Sequence, residues 1–122
     1  MTLLSFLLIK HFICDFMLQR RYQYENKGKY GHPGGLLHAG IHVVGTAIVL
    51  CWFIDPILAL KLALLDGVVH YHIDFAKSNV NRKMELQIQH NQYWALLGFD
   101  QLLHQLTYIG IICAITNGWI AS

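Results

Sequence analysis

Residues 57–76 read ILALKLALLDGVVHYHIDFA, and two features of this stretch decide the fold. It is apolar over about the 20 residues a helix needs to cross a hydrocarbon layer. It also carries Asp66, His70 and Asp74 at intervals of four. That interval stacks all three side chains on one helix face, one turn apart. His72 falls out of step and is expected to face elsewhere. Ionisable groups on a membrane helix are costly unless they face other helices, so this stretch predicts partners with matching stripes.

Three further apolar segments flank it, at about residues 2–18, 36–54 and 95–119. The reading is therefore all-α: a single integral membrane domain, residues 1–122, built as a four-transmembrane-helix bundle. The chain is 55% hydrophobic and 13% charged, against about 25% charged in an ordinary soluble domain. Its mean hydropathy of +0.40 excludes disorder. A net charge of +2 is too small for a nucleic-acid footprint, so no nucleic-acid partner is expected. The first segment lacks a basic leader and carries Lys10, His11 and Asp15, so it reads as a membrane segment rather than a cleavable signal. Asp55-Pro56 forms a tight turn between the second and third segments. HPGG closes the first linker, and the second half of the third linker (residues 77–94) reads as a helical lead-in to the last segment. Cys14, Cys51 and Cys113 lie in apolar runs and read as buried free thiols.

Topology follows from the basic residues. Arg20, Arg21, Lys27, Lys29, Lys77, Arg82 and Lys83 all lie in the first and third linkers, whereas the other side has only Lys61. By the positive-inside rule both long linkers are cytoplasmic and both termini are on the non-cytoplasmic side. Tyr22, Tyr24, Tyr30, Tyr93 and Trp94 flank the same linkers as interfacial aromatics. A soluble bundle with wide apolar faces is the alternative, but it leaves the basic asymmetry unexplained.

The other segments repeat the interval of four: His11/Asp15, His38/His42 and Asp100/His104. Counted along the helices, all four sets fall in the cytoplasmic half. They form two expected layers, Asp15, His38, Asp74 and Asp100 above His11, His42, His70 and His104. A divalent metal satisfies neutral imidazole and carboxylate together, and four-helix bundles build dinuclear sites this way. The candidate ligands are His11, His38, His42, His70, Asp74, Asp100 and His104, holding one or two ions. Asp15 and Asp66 are the candidate catalytic carboxylates. Mixed His/Asp donors suit Zn²⁺ ahead of Mn²⁺ or Fe²⁺, and all three above Mg²⁺ or Ca²⁺. A proton relay and a purely hydrogen-bonded network are the competing readings. Bis-His haem ligation leaves the paired aspartates unexplained. His32 and His90 read as solvated linker residues.

In their order HFICDFMLQ, ENKGK, HAGIH, HYHIDFAK and FDQLLH, these motifs resemble domain-of-unknown-function family 3307. The resemblance spans about residues 4–106. It implies a small multi-pass membrane protein of bacteria or their phages, here placed in the bacterial inner membrane. It marks His11, Asp15, Gln19, Lys27, His38, His42, His70, Asp74, Lys77, Asp100, Gln101 and His104 as signature positions, and implies no activity. A looser likeness, by analogy alone, is to membrane-embedded metal-dependent hydrolases with His/Asp-rich helices.

Gln19, Lys27, Lys77 and Gln101 are the candidate substrate-binding residues. Basic groups over a metal pair would hold a phosphate or carboxylate, although the lysines also satisfy the positive-inside rule. The leading function is a metal-dependent hydrolase acting on a lipid or isoprenoid phosphate or another membrane-embedded substrate. One alternative is a non-enzymatic membrane protein with a structural metal that binds an envelope partner, with Gly40, Gly45, Gly67, Gly98 and Gly110 packing helices within a chain or a homo-oligomer. Another is an ion- or proton-handling protein. The apolar outer halves (residues 3–9, 46–54, 57–65 and 109–115) argue against a pathway and for a one-sided site.

Overall fold

In the computed structural model, which describes residues 2–119, the chain is all-helical, with no strand among the described residues. Helix α1 (Leu3–Phe12) runs into a π-helical turn (Ile13–Met17), and a short α2 (Arg21–Tyr24) lies in the first linker. Three long helices follow: α3 (Pro33–Leu50), α4 (Pro56–Lys83) and α5 (Asn91–Thr116). Thr2 caps α1 by accepting from Ser5 N, and Asp55 caps α4 by accepting from Ile57 N and Leu58 N at 2.9 and 3.2 Å. Pro33 and Pro56 open α3 and α4, where the missing N–H would have no helical partner.

Several boundaries differ from the sequence reading. Helix α4 continues to Lys83, so the helical half of the third linker is its first half. Residues 84–90 are turns, and the lead-in to α5 starts only at Asn91. The run FAKSNVNRK holds no Gly or Pro, so nothing stops the helix before Glu85, which adopts a positive φ of 51°. His32 caps α3, accepting from Gly34 N at 3.0 Å, whereas His90 is exposed ahead of α5 and accepts from Gln87 N at 3.0 Å without capping that helix. Among the thiols only Cys14 is buried; Cys51 is exposed in the α3–α4 turn and Cys113 is half-buried.

Helices α3 and α4 form the central antiparallel hairpin, with α1 against α3 and α5 against α4 and α1. Gly67 lets them approach: a Cβ there would overlap Val43 Cγ2. Gly45 similarly admits the stem of Lys10, whose Cγ and Cδ would lie 2.9 Å from an added Cβ. Gly40, Gly98 and Gly110 have no such neighbour. The apolar core, Leu50, Leu58, Ala59, Leu62 and Ile111, fills the end near the α3–α4 turn. The other half of the interior is polar, while Phe12, Phe16, Val44, Leu64 and Phe99 point outward and are exposed. Helices α3 and α4 are long and apolar enough to cross a membrane, by length and composition.

Candidate metal centre

Helix α1 with its π-helical turn and the three long helices deliver their stripes to one point. His11 comes from the last turn of α1 and Asp15 from the π-helical turn, where Leu18 N donates to Ile13 O at 2.9 Å across five residues. The extra residue in that turn re-aims the side chains around it, as π-bulges do at functional sites. Helix α3 supplies His38 and His42, α4 supplies His70 and Asp74, and α5 supplies Asp100 and His104. His38, His42, His70 and His104 are exposed by no more than 2%.

The donor atoms form two overlapping groups: Asp15, His38, His42 and His70, and then His70, Asp74 and His104. In the first, Asp15 Oδ1 lies 3.0 Å from His38 Nε2, 2.9 Å from His42 Nε2 and 3.8 Å from His70 Nε2. In the second, Asp74 Oδ2 lies 3.2 Å from His70 Nε2, and Asp74 Oδ1 lies 3.4 Å from His104 Nε2. His104 Nε2 is also 3.5 Å from Asp100 Oδ1. Asp74 thus reaches from one group to the other, since its Oδ2 is 3.4 Å from His38 Nε2 as well. The two expected layers merge here, because imidazoles one turn apart incline toward a shared carboxylate.

Three observations test whether this donor set fits a cation. First, His38 Nε2 and His70 Nε2 are 3.2 Å apart. Gln23 Oε1 faces His38 Nδ1 at 3.3 Å, so Nδ1 carries the proton and a neutral ring turns its Nε2 lone pair inward. An inward lone pair beside a carboxylate is favourable only with a positive charge between them. Second, His70 Nδ1, His104 Nε2 and Asp100 Oδ1 are buried without a hydrogen-bond partner, a costly state for polar atoms. Third, Asp15, Asp74 and Asp100 bring three negative charges against the single Lys27 ammonium, 2.8 Å from Asp74 Oδ2. One divalent cation closes that balance with neutral imidazoles. Donors 2.0–2.2 Å from a tetrahedral ion sit about 3.3–3.6 Å from one another, close to the separations found. The residues fit a divalent metal.

The remaining candidates take up distinct places. His11 joins the cluster edge, with Nε2 3.0 Å from Asp15 Oδ2 and 3.1 Å from Gln101 Oε1. Gln101 Nε2 donates to Asp15 Oδ2 and Asp100 Oδ2 at 3.3 Å each, tying His11, Asp15 and Asp100 together. Gln19 Nε2 donates to Asp15 O at 3.0 Å. Lys77, together with Gln19 and Lys27, lines a cavity on the linker side. Asp66 lies outside both donor groups. Its Oδ2 accepts from Thr46 Oγ1 at 2.6 Å and pairs with Lys10 Nζ at 3.5 Å. His72 faces away, bonded to Val68 O and Tyr30.

Lys10, Gln23, Thr46 and Tyr108 were not singled out as site residues by the sequence reading. Lys10 Nζ, buried, lies 3.0 Å from Tyr108 Oη and 3.3 Å from His42 Nδ1, and Tyr108 Oη is 2.9 Å from His11 Nδ1. Thr46 and Tyr108 extend the interval of four beyond His42 and His104, a signal present in the sequence. Gln23 reaches His38 from the linker, which no periodicity announces.

A family model described as "Protein of unknown function (DUF3307)" matches residues 3–121, nearly the whole chain. The chain belongs to that family. No curated protein and no solved structure matches it.

Proposed function

We propose that this family member is a multi-pass membrane protein that holds a divalent metal, Zn²⁺ ahead of Mn²⁺ or Fe²⁺, near the cytoplasmic face and uses it for hydrolysis. The observation that carries the metal is the inward convergence of His38 and His70 Nε2 beside Asp15 and Asp74. The inverted exterior, with large apolar side chains exposed and a polar interior, supports the membrane reading. So does the basic asymmetry of the linkers.

His38, His42, His70, Asp74, His104 and Asp100 are assigned as the surrounding donors. A bound cation supplies Lewis acidity, polarising a phosphoryl or acyl oxygen and acidifying a water. Asp15 is assigned as the proton acceptor, oriented by His11 and Gln101 on one oxygen and by His42 on the other. Asp66 is assigned to hold Lys10 beneath His42. A single ion neutralises the site, whereas two leave a positive excess that a phosphate dianion would match.

A structural ion is the second reading, favoured by the near-complete burial of the donors. Elemental analysis of protein purified without chelators tests the centre. One or two equivalents of Zn, Mn or Fe are expected, with loss in His70→Ala, which interrupts both groups. Absence of metal after purification and after reconstitution would overturn the assignment. Metal-loaded Asp15→Asn then separates the two roles: a catalytic site loses hydrolysis of phosphorylated lipids with metal retained, whereas a structural site shows none in either protein.

A further inference from the structure

Two cavities meet the candidate centre from different sides. A polar one of about 310 Å³ lies among the linkers and is lined by Gln19, Lys27, Lys77, Ser78, Arg82 and Tyr93, among others. Lys29 adds a further positive charge, and the one carboxylate there, Glu25, is paired with Arg21 at 2.7 Å. The other is an apolar groove of about 470 Å³ between α4 and α5, lined by Val69, Ile73, Ala76, Val80, Leu96 and Phe99, with Lys77 and Asp100 also on its wall. Its size is that of a small-ligand site.

The three spaces share residues pairwise. Lys27 lines the basic cavity and reaches Asp74 of the centre. Asp100 lines the groove and lies 3.5 Å from His104. Lys77 borders both the groove and the cavity. An apolar groove that shares Lys77 with a basic chamber complements an amphiphile with an anionic head.

We infer that the α4–α5 groove and the basic linker cavity together bind one phosphomonoester lipid, chain in the groove and phosphate among Lys27, Lys77 and Arg82. This deepens the membrane-hydrolase reading and rests on it for the route of entry, which is sideways from the bilayer. Arginine and lysine supply charge-assisted bonds to the phosphate, and the groove shields the chain from water.

The test is native mass spectrometry of the full chain in detergent with dioleoyl phosphatidic acid, dioleoylglycerol and glycerol 3-phosphate. One phosphatidic acid per chain is expected, held about tenfold or more tightly than the diacylglycerol, a difference of about 1.4 kcal/mol. Glycerol 3-phosphate at equal concentration should not displace it. Lys77→Glu should abolish the preference for the phosphate. Ala76→Trp, at an exposed position, should block the groove and weaken binding about tenfold; Val80→Trp serves if that variant does not fold. Equal retention of diacylglycerol, displacement by glycerol 3-phosphate, or binding undiminished by a groove-filling tryptophan would each overturn the inference. Metal content, measured on the same samples, separates the two failures. Lipid selectivity without metal sinks the metal centre alone, and metal without lipid selectivity sinks this site alone.

Discussion

His38 and His70, from neighbouring helices, face each other Nε2 to Nε2 at 3.2 Å. At that distance one ring's N–H can donate to the other's lone pair, whereas two lone pairs beside Asp15 and Asp74 would hold a cation that balances the buried carboxylates. The consequences of that relationship can be measured.

Gln23→Leu removes the acceptor that fixes the proton on His38 Nδ1. Loss of such an orienting partner typically lowers metal affinity about 10–100-fold. Chelator competition should show that drop while circular dichroism stays unchanged. An unaltered affinity would remove Gln23 from the site.

Lys10 and Asp66 form a buried ion pair, exposed by 6% and 2%. Lys10→Met alone leaves a buried carboxylate unpaired and should cost about 3–5 kcal/mol. Lys10→Met combined with Asp66→Leu should cost clearly less than the sum of the two single changes. Detergent unfolding of all four proteins gives the coupling, and strict additivity would count against the pair.

Gly67→Ala places a methyl against Val43 Cγ2 in the α3–α4 interface. Overpacking of this kind costs about 1–3 kcal/mol, and Val43→Ala should restore most of it. Gly40→Ala, with no neighbour within 4 Å, is the control and should raise the unfolding midpoint slightly, because Ala is the better helix former.

Cys51 is exposed in the α3–α4 turn, on the side opposite the long linkers. In intact cells carrying Cys14→Ser and Cys113→Ser, a membrane-impermeant maleimide should label Cys51. In the variant that also carries Cys51→Ser and Lys29→Cys, labelling should require permeabilisation. The reverse pattern would invert the topology, and extraction of the protein by alkaline carbonate would dismiss the membrane reading.

Much of the site was legible because helix geometry makes an interval of four visible in one dimension. His38/His42, His70/Asp74 and Asp100/His104 could be placed on inward faces before any packing was known. Applied one step further, the same rule reaches Thr46 and Tyr108. It does not reach Gln23, which arrives from a loop, nor the distinction between Asp66 and Asp74. Both lie on the same stripe of α4, yet one meets Lys10 and Thr46 and the other meets the imidazoles. Helix ends were less legible: α4 runs on to Lys83 because polar residues of adequate helix propensity give no stop signal when hydropathy ends.

The sequence by itself determined the helical class and the face each stripe occupies; of its four apolar segments, two form helices long and apolar enough to cross a membrane. Class and face depend on local periodicity and on the free energy of transferring side chains from water. Only the tertiary structure decided which atoms meet: Asp74 bridging the two donor groups, Lys27 reaching it from the linker, and the π-helical turn bringing Asp15 to the histidines. Those contacts join residues far apart in the chain. They depend on how helices cross and how a glycine such as Gly67 lets them close, which no local pattern encodes.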